Sequence, residues 1–181
     1  MTVLQTQRLT LRVPDARDES AFFAFAETDR ASFIGGPMDR AAAATAFTQE
    51  TAHWAMHGYG RFAIVPSGSD VAVGLIGPQF PMGWPENELT WFLFAEGAGK
   101  GYATEAGLAV LAWVYETLKW PSVVAYMERH NTRSIALAKR LGGIEDADAM
   151  VPGPGVLTYR LPNPAGQDAL ATHSIAEGGP L

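Results

Sequence analysis

Gly97-Ala98-Gly99-Lys100-Gly101-Tyr102-Ala103-Thr104-Glu105 is the stretch on which the reading of this chain turns. Residues 89–94 before it are hydrophobic and read as a strand. Residues 105–118 after it are hydrophobic and read as a helix. Three alternating glycines strip side chains from the turn that opens this helix. Backbone N–H groups are then free to face an anion, with the positive end of the helix dipole behind them. That is the layout of a phosphate cradle, although the same glycines also suit a tight turn with no ligand. The ATP-type loop is excluded, because Lys100 is followed by Gly101 where a Ser or Thr would hold magnesium. The dinucleotide fingerprint fails as well: its third glycine comes one residue early, at Gly101, and no acidic ribose partner is placed after a second strand.

Composition narrows the alternatives. A chain of 181 residues is expected to form one domain with a sizeable core. The net charge of −6, with no basic block, argues against a nucleic-acid partner and mildly favours a cationic substrate. With no cysteine there is no disulfide, no thiolate metal site and no acyl-cysteine intermediate. His53 and His57 lie one helical turn apart without a third ligand nearby, which fits a solvated helix face rather than a metal centre, so no metal is expected. No stretch is apolar enough to span a membrane, and the polar first eight residues lack signal-peptide architecture. A cytoplasmic location is expected, with no membrane partner.

Strands are expected over residues 9–13, 61–66, 71–76, 86–94, 122–128, 144–150 and 156–161. Helices are expected over 15–27, 40–57 and 105–118, followed by one capped by Asn131 with the apolar stripe Ile135, Ala138, Leu141. The turn at 67–70 makes a hairpin, and the strand–loop–helix–strand crossover makes one parallel pair. The fold class is therefore mixed α/β (α+β), with a mostly antiparallel sheet of about seven strands and flanking helices. Residues 1–162 form the domain. Residues 163–181, rich in Pro, Gly and Ala and without periodicity, read as a C-terminal extension.

The order of motifs resembles the GNAT superfamily of N-acetyltransferases, and within it the branch of ribosomal-protein N-terminal acetyltransferases. Arg8-Leu9-Thr10-Leu11-Arg12 resembles the opening strand of that branch, and Glu88-Leu89-Thr90-Trp91-Phe92-Leu93 its fourth strand. Gly99-Lys100-Gly101-Tyr102-Ala103-Thr104-Glu105-Ala106 matches its coenzyme A loop. Asn131-Thr132-Arg133-Ser134, followed by Leu141-Gly142, resembles the helix that closes the site. Two positions depart from the pattern. Ala98 stands where Arg or Gln is usual, removing a pyrophosphate contact and shifting the load to the backbone and Lys100. Gly143 stands where Phe is common, which would loosen a core contact.

The resemblance implies acetyl transfer from acetyl-CoA directly to a primary amine in a ternary complex, with the fourth and fifth strands splayed. The cofactor-binding set it implies is Trp91, Phe92 and Leu93, lending backbone to the pantetheine arm, then Ala98, Gly99, Lys100, Gly101, Tyr102, Ala103 and Thr104 around the pyrophosphate, with Asn131 and Ser134 near the thioester. The side chains of Trp91, Phe92 and Leu93 read as sheet packing. Glu88 is the candidate general base and Glu86 its less favoured neighbour. Such a base matters more for a lysine acceptor than for an α-amine, since roughly a tenth of an α-amine is already neutral at pH 7. Ser134 is the candidate proton donor to the thiolate, because the position of the Tyr used by many relatives is Ala138. Glu105 reads as structural, a first-turn acid at a helix N-terminus. The acceptor, a small-molecule amine or a protein N-terminus, is expected among residues 33–38, the helix through Trp54 and residues 79–85. The protein would act as a monomer or homodimer. A non-catalytic acyl-CoA sensor and an antibiotic or amino-acid acetyltransferase stay open as alternatives.

Overall fold

The computed structural model describes residues 2–164, which build an eight-stranded sheet with helices on both faces. The strands are β1 (Val3–Gln5), β2 (Leu9–Arg12), β3 (Phe62–Pro66), β4 (Gly74–Gln79), β5 (Glu88–Leu93), β6 (Val123–Glu128), β7 (Ile144–Glu145) and β8 (Val156–Leu161). Across the sheet they run β1-β2-β3-β4-β5-β6-β8-β7. Every neighbouring pair is antiparallel except β5 with β6. The helices are α1 (Glu19–Ala26), α2 (Arg40–His57), α3 (Tyr102–Trp113) and α4 (Thr132–Arg140).

The period of two along a strand decides which core each residue serves. In β3, Phe62 and Ile64 join the core formed with α3 and α4, whereas Ala63 and Val65 join a second core against α1 and α2. That second core is a phenylalanine cluster. Phe25 stacks on Phe92 with ring centroids 5.1 Å apart, and Phe22 meets Phe47 at 5.3 Å. Aromatic pairs at such separations add roughly 0.5–1.5 kcal/mol each beyond their burial. In β5 the alternation sends Leu89 to the α3/α4 side and Phe92 to the α1/α2 side. Glu88 and Thr90 therefore share the face of Phe92, and Trp91 and Leu93 share the face of Leu89.

One buried ion pair ties the start of this architecture together. Asp18 is fully buried and accepts from both guanidinium nitrogens of Arg12, at 2.7 and 2.9 Å. It also accepts from the backbone N–H groups of Asp15 and Ala72, at 3.1 and 2.9 Å. The end of β2, the entry to α1 and the approach to β4 are thereby held at one point.

Several sequence expectations are corrected. The sheet, expected to have about seven strands, has eight, the one without a sequence signal being β1, which pairs with β2 as a three-residue edge too short to show a period. The strand expected at 71–76 is β4, displaced to Gly74–Gln79, with Pro78 inside it. Proline is tolerated there because β3 pairs with β4 only through Phe62↔Ile76 and Ala63↔Leu75, so residues 77–79 run past the end of β3. The third helix begins at Tyr102 rather than 105 and ends in a π-helical turn, Val114–Leu118, stopped by the left-handed Lys119. The strand expected at 144–150 shrinks to Ile144–Glu145. Gly143 loosens nothing: a Cβ there would come within 2.7 Å of the Ala138 carbonyl and 2.9 Å of Leu161. Nearly all of the C-terminal extension lies outside the described residues.

Candidate active site

The site starts where the sheet stops pairing. β5 and β6 share one register pair, Glu88↔Val124, and the Val124 N–H donates to the Asn87 carbonyl at 3.0 Å. Beyond that pair lies a cavity of about 1130 Å³, lined by residues 88–93 of β5 and by Tyr126, Met127 and Glu128 of β6. This exceeds the roughly 300–1,000 Å³ of a typical small-ligand pocket, so it has room for a long ligand or for two reactants. The glycine loop and the N-terminus of α3 stand at the end to which β5 leads. Ala98, Gly99 and Ala103 line the same cavity.

Each glycine of the loop has its own reason. At Gly97 a Cβ would meet the Val73 carbonyl at 2.5 Å, so only glycine fits. Gly99 and Gly101 adopt φ of +74° and +77°, the left-handed region that glycine reaches without a Cβ penalty. Gly101 is the N-cap of α3. Among the described residues, the N–H groups of Gly99, Lys100 and Gly101 have no backbone acceptor. Those of Tyr102 and Ala103 have none within the helix they begin. Glu105 is turned to a different task. Its carboxylate accepts from Thr6 Oγ1 at 2.7 Å, from the Arg8 N–H at 2.8 Å and from Arg8 Nε at 2.7 Å. Burial pushes its pKa up, but these hydrogen bonds outweigh that and hold it below the usual carboxylate value. The acid therefore locks the β1–β2 connection to α3.

Glu88, at the vertex of the cavity, is only 7 % exposed. Burial raises its pKa from 4.5 to about 7, against the weaker opposing pull of the Arg61 charge and the Trp84 indole. The Trp84 Nε1–H makes no hydrogen bond of ordinary geometry, so its hold on the Glu88 carboxylate is weak. Arg61 is held by an ion pair with Glu50 of α2 and by Nε–H donation to Thr90 Oγ1 at 2.7 Å. Glu86 is already committed, receiving two hydrogen bonds from Arg160 at 2.8 and 3.0 Å.

On the opposite wall, the Asn131 side chain caps α4 by accepting the Ser134 N–H at 3.1 Å. Ser134 Oγ accepts the indole N–H of Trp91 at 3.2 Å. At the far end of the same helix, Arg140 Nε donates to Thr104 Oγ1 at 3.2 Å, and Arg140 lines the cavity beside the loop.

A profile of the acetyltransferase (GNAT) domain matches residues 8–144. An acetyltransferase from Agrobacterium tumefaciens, with 35% identity over 90% of this chain and 95% of that one, superposes with a TM-score of 0.82. The chain belongs to the GNAT acetyltransferase family. The same fold recurs in a ribosomal-protein-S5-alanine acetyltransferase from Vibrio fischeri, at 13% identity over 91% of this chain and 98% of that one, TM-score 0.69. It recurs again in a spermidine N-acetyltransferase from Vibrio cholerae in complex with CoA and spermine, at 16% identity over 86% and 95%, TM-score 0.66. GNAT enzymes are acyltransferases that use acetyl-CoA.

Of the residues expected in this GNAT site, Glu88, Trp91, Phe92, Leu93, Ala98, Gly99, Ala103, Asn131 and Ser134 all line the one cavity. Lys100, Gly101, Tyr102 and Thr104 are not among its lining residues, and Lys100 Nζ lies 5.9 Å from the centre of the Tyr102 ring. Ala138 is fully buried in the core. Of the acceptor segments, Phe33, Ile34, Met38 and Trp84 line the cavity. Phe80 and Met82 border a neighbouring one, and Trp54 packs in the core, donating to the Arg61 carbonyl at 2.8 Å. Sequence reasoning missed Arg140, Arg61 with Glu50, and the bond from Trp91 to Ser134. All three are contacts between elements distant in the chain. Among the described residues, no group of three or more His, Asp or Glu could hold a metal ion, and no helix is long and apolar enough to cross a membrane.

Proposed function

We propose that this protein transfers an acetyl group from acetyl-CoA directly to a primary amine in a ternary complex. The observation that carries the reading is Glu88: a buried carboxyl with pKa raised to about 7, at the single point where β5 and β6 pair. A carboxyl so tuned is a base near neutral pH. Acetyl-CoA supplies the thioester. The open amides from Gly99 to Ala103, at the positive end of α3, receive its pyrophosphate. The unpaired edge of β5 from Trp91 to Leu93 receives the pantetheine arm as an added strand between the splayed strands. Arg140 brings from α4 the cation that Ala98 lacks, and it faces the cavity where Lys100 does not.

Glu88 and Thr90 face the α1/α2 side, where Phe33, Ile34 and Met38 bound the cavity, so the amine enters from there. Its lone pair forms the C–N bond while the C–S bond breaks and leaves its electron pair on sulfur. Glu88 takes the amine proton, directly or through water, and passes it to solvent, while the Ser134 hydroxyl keeps its proton and donates a hydrogen bond to the departing thiolate. The thiolate leaves as such or takes a proton from solvent, and acetylated amine and free CoA result. The CoA bound to the Vibrio cholerae relative supports the co-substrate. Both a protein N-terminus and a small-molecule amine suit this arrangement.

Incubation with acetyl-CoA and a panel of amines, diamines and N-terminal peptides, followed by thiol release, tests the proposal. Release that depends on one class of amine is expected. Calorimetric binding of CoA with no thiol release across the panel would instead identify an acyl-CoA sensor.

A further inference from the structure

Trp91 is half-buried on the face of β5 that looks toward α4, and its indole has one polar group, an N–H that can only donate. That group spans from β5 to Ser134 Oγ at 3.2 Å. A serine hydroxyl has one proton and two acceptor lone pairs. Within a helix its common choice is to turn back and donate to a carbonyl of the preceding turn, but α4 begins at Thr132 and offers Ser134 no such turn. Here the indole N–H takes a lone pair and draws the oxygen toward β5, while the backbone N–H of Ser134 is held by Asn131 Oδ1 at 3.1 Å. Among the described residues the Ser134 hydroxyl donates to no protein acceptor, and Ser134 lines the cavity. A donor fixed before the reaction begins needs no reorganisation when negative charge develops in front of it.

We propose that Trp91 is a positioning residue, which orients the Ser134 hydroxyl so that its proton points into the cavity at the sulfur that leaves. This rests on the acetyl-transfer reading above and adds a task for a side chain that would otherwise count as sheet packing. Glu88 and Trp91 occupy opposite faces of one strand, so a single β-strand serves both ends of the transfer. Glu88 itself takes the amine's proton on one face. Trp91 acts through Ser134 on the other.

The test is a cycle of Trp91→Phe, Ser134→Ala and the double variant, with two readouts. Turnover is one: S134A lowers kcat on the order of 100-fold, W91F about 10-fold, and the double variant no further than S134A alone, with the KM for acetyl-CoA held within about twofold throughout. The second readout is the thiol pKa of bound CoA, followed by the ultraviolet absorbance of the thiolate. A donated hydrogen bond favours the thiolate, so this pKa rises in W91F and in S134A alike. A further measurement needs no variant at position 91: in the otherwise wild-type protein the Trp91 indole N–H resonance shifts as the bound thiol titrates, and S134A abolishes that shift. W91F slowing turnover equally with and without Ser134, or an indole resonance blind to the thiol, would overturn the inference while leaving the acetyl-transfer reading intact. Wild-type turnover in S134A would remove Ser134 from the chemistry, and the inference with it.

Discussion

Replacing Glu88 by Gln removes one titration from a buried site and leaves the shape of the side chain nearly unchanged. Unfolded, Glu88 titrates near 4.5; folded, it titrates near 7 because burial disfavours its charge. Below the lower value both states hold the proton and the group is neutral to stability. Between the two values only the native state holds it, so the wild-type protein loses stability as pH rises, and the loss is complete above about 7. The rise from 4.5 to about 7, at about 1.4 kcal/mol per pH unit, corresponds to a loss of about 3 kcal/mol. Glu88→Gln has no such loss. Urea unfolding of both proteins from about pH 4 to pH 8 should therefore show a stability gap that widens by about 3 kcal/mol in favour of the variant and then levels off. The constant part of the gap contains how well the amide packs, but its pH dependence does not. Activity should move the other way. The wild-type kcat/KM should fall on the acid side with a midpoint near 7, as the base becomes protonated. The variant should be slower by about 10²–10⁴-fold and lack that limb. A gap independent of pH would refute the burial argument, and a limb with midpoint near 7 surviving in the variant, apart from the limb that the amine's own ionisation imposes at higher pH, would refute Glu88 as the base.

Other outcomes follow from the same geometry. Arg140→Ala should weaken CoA binding about tenfold by calorimetry, and flatten its dependence on salt, while kcat at saturating acetyl-CoA stays within about twofold; unchanged affinity would return the phosphate contact to the loop amides alone. Asp18→Ala leaves the Arg12 guanidinium with only Asp15 and the Val13 and Asp70 carbonyls, strands the backbone N–H groups that Asp18 receives, and should cost about 3 kcal/mol in urea unfolding. A cost under about 1 kcal/mol would show that the Arg12 cluster is not a structural staple.

What the sequence revealed and what it hid divide along a physical line. Local signals were enough for α2, whose limits Arg40–His57 come from the Asp39 cap at one end and the left-handed Gly58 at the other. They were enough for α4, which Asn131 caps. The resemblance to GNAT motifs brought Glu88, the glycine loop, Asn131 and Ser134 into one reading, and Glu88, Ala98, Gly99, Asn131 and Ser134 line one cavity. β4 was misplaced because Gly77-Pro78 reads as a breaker wherever the strand beside it is unknown; where β3 stops is a tertiary fact. Arg61 is paired with Glu50 and Thr90, and Arg140 with Thr104, across separations of 11, 29 and 36 residues. No periodicity encodes contacts of that kind. They arise when α2 and α4 settle against the sheet, and they supply the charges around the reacting centre.

The solitary Glu88↔Val124 pair also bears on how the molecule breathes. Strands β1 to β5 form one hydrogen-bonded ribbon, and β6 with β8 and β7 another, the latter joined through six register pairs between β6 and β8. A seam carried by so few backbone bonds is a natural border between cooperative units, where one part can open without the other. Native-state hydrogen exchange should resolve it as two groups of amides with different opening free energies, divided between residues 93 and 123. A ligand bridging the seam would merge them, so the exchange pattern would report occupancy of the cleft in the absence of turnover.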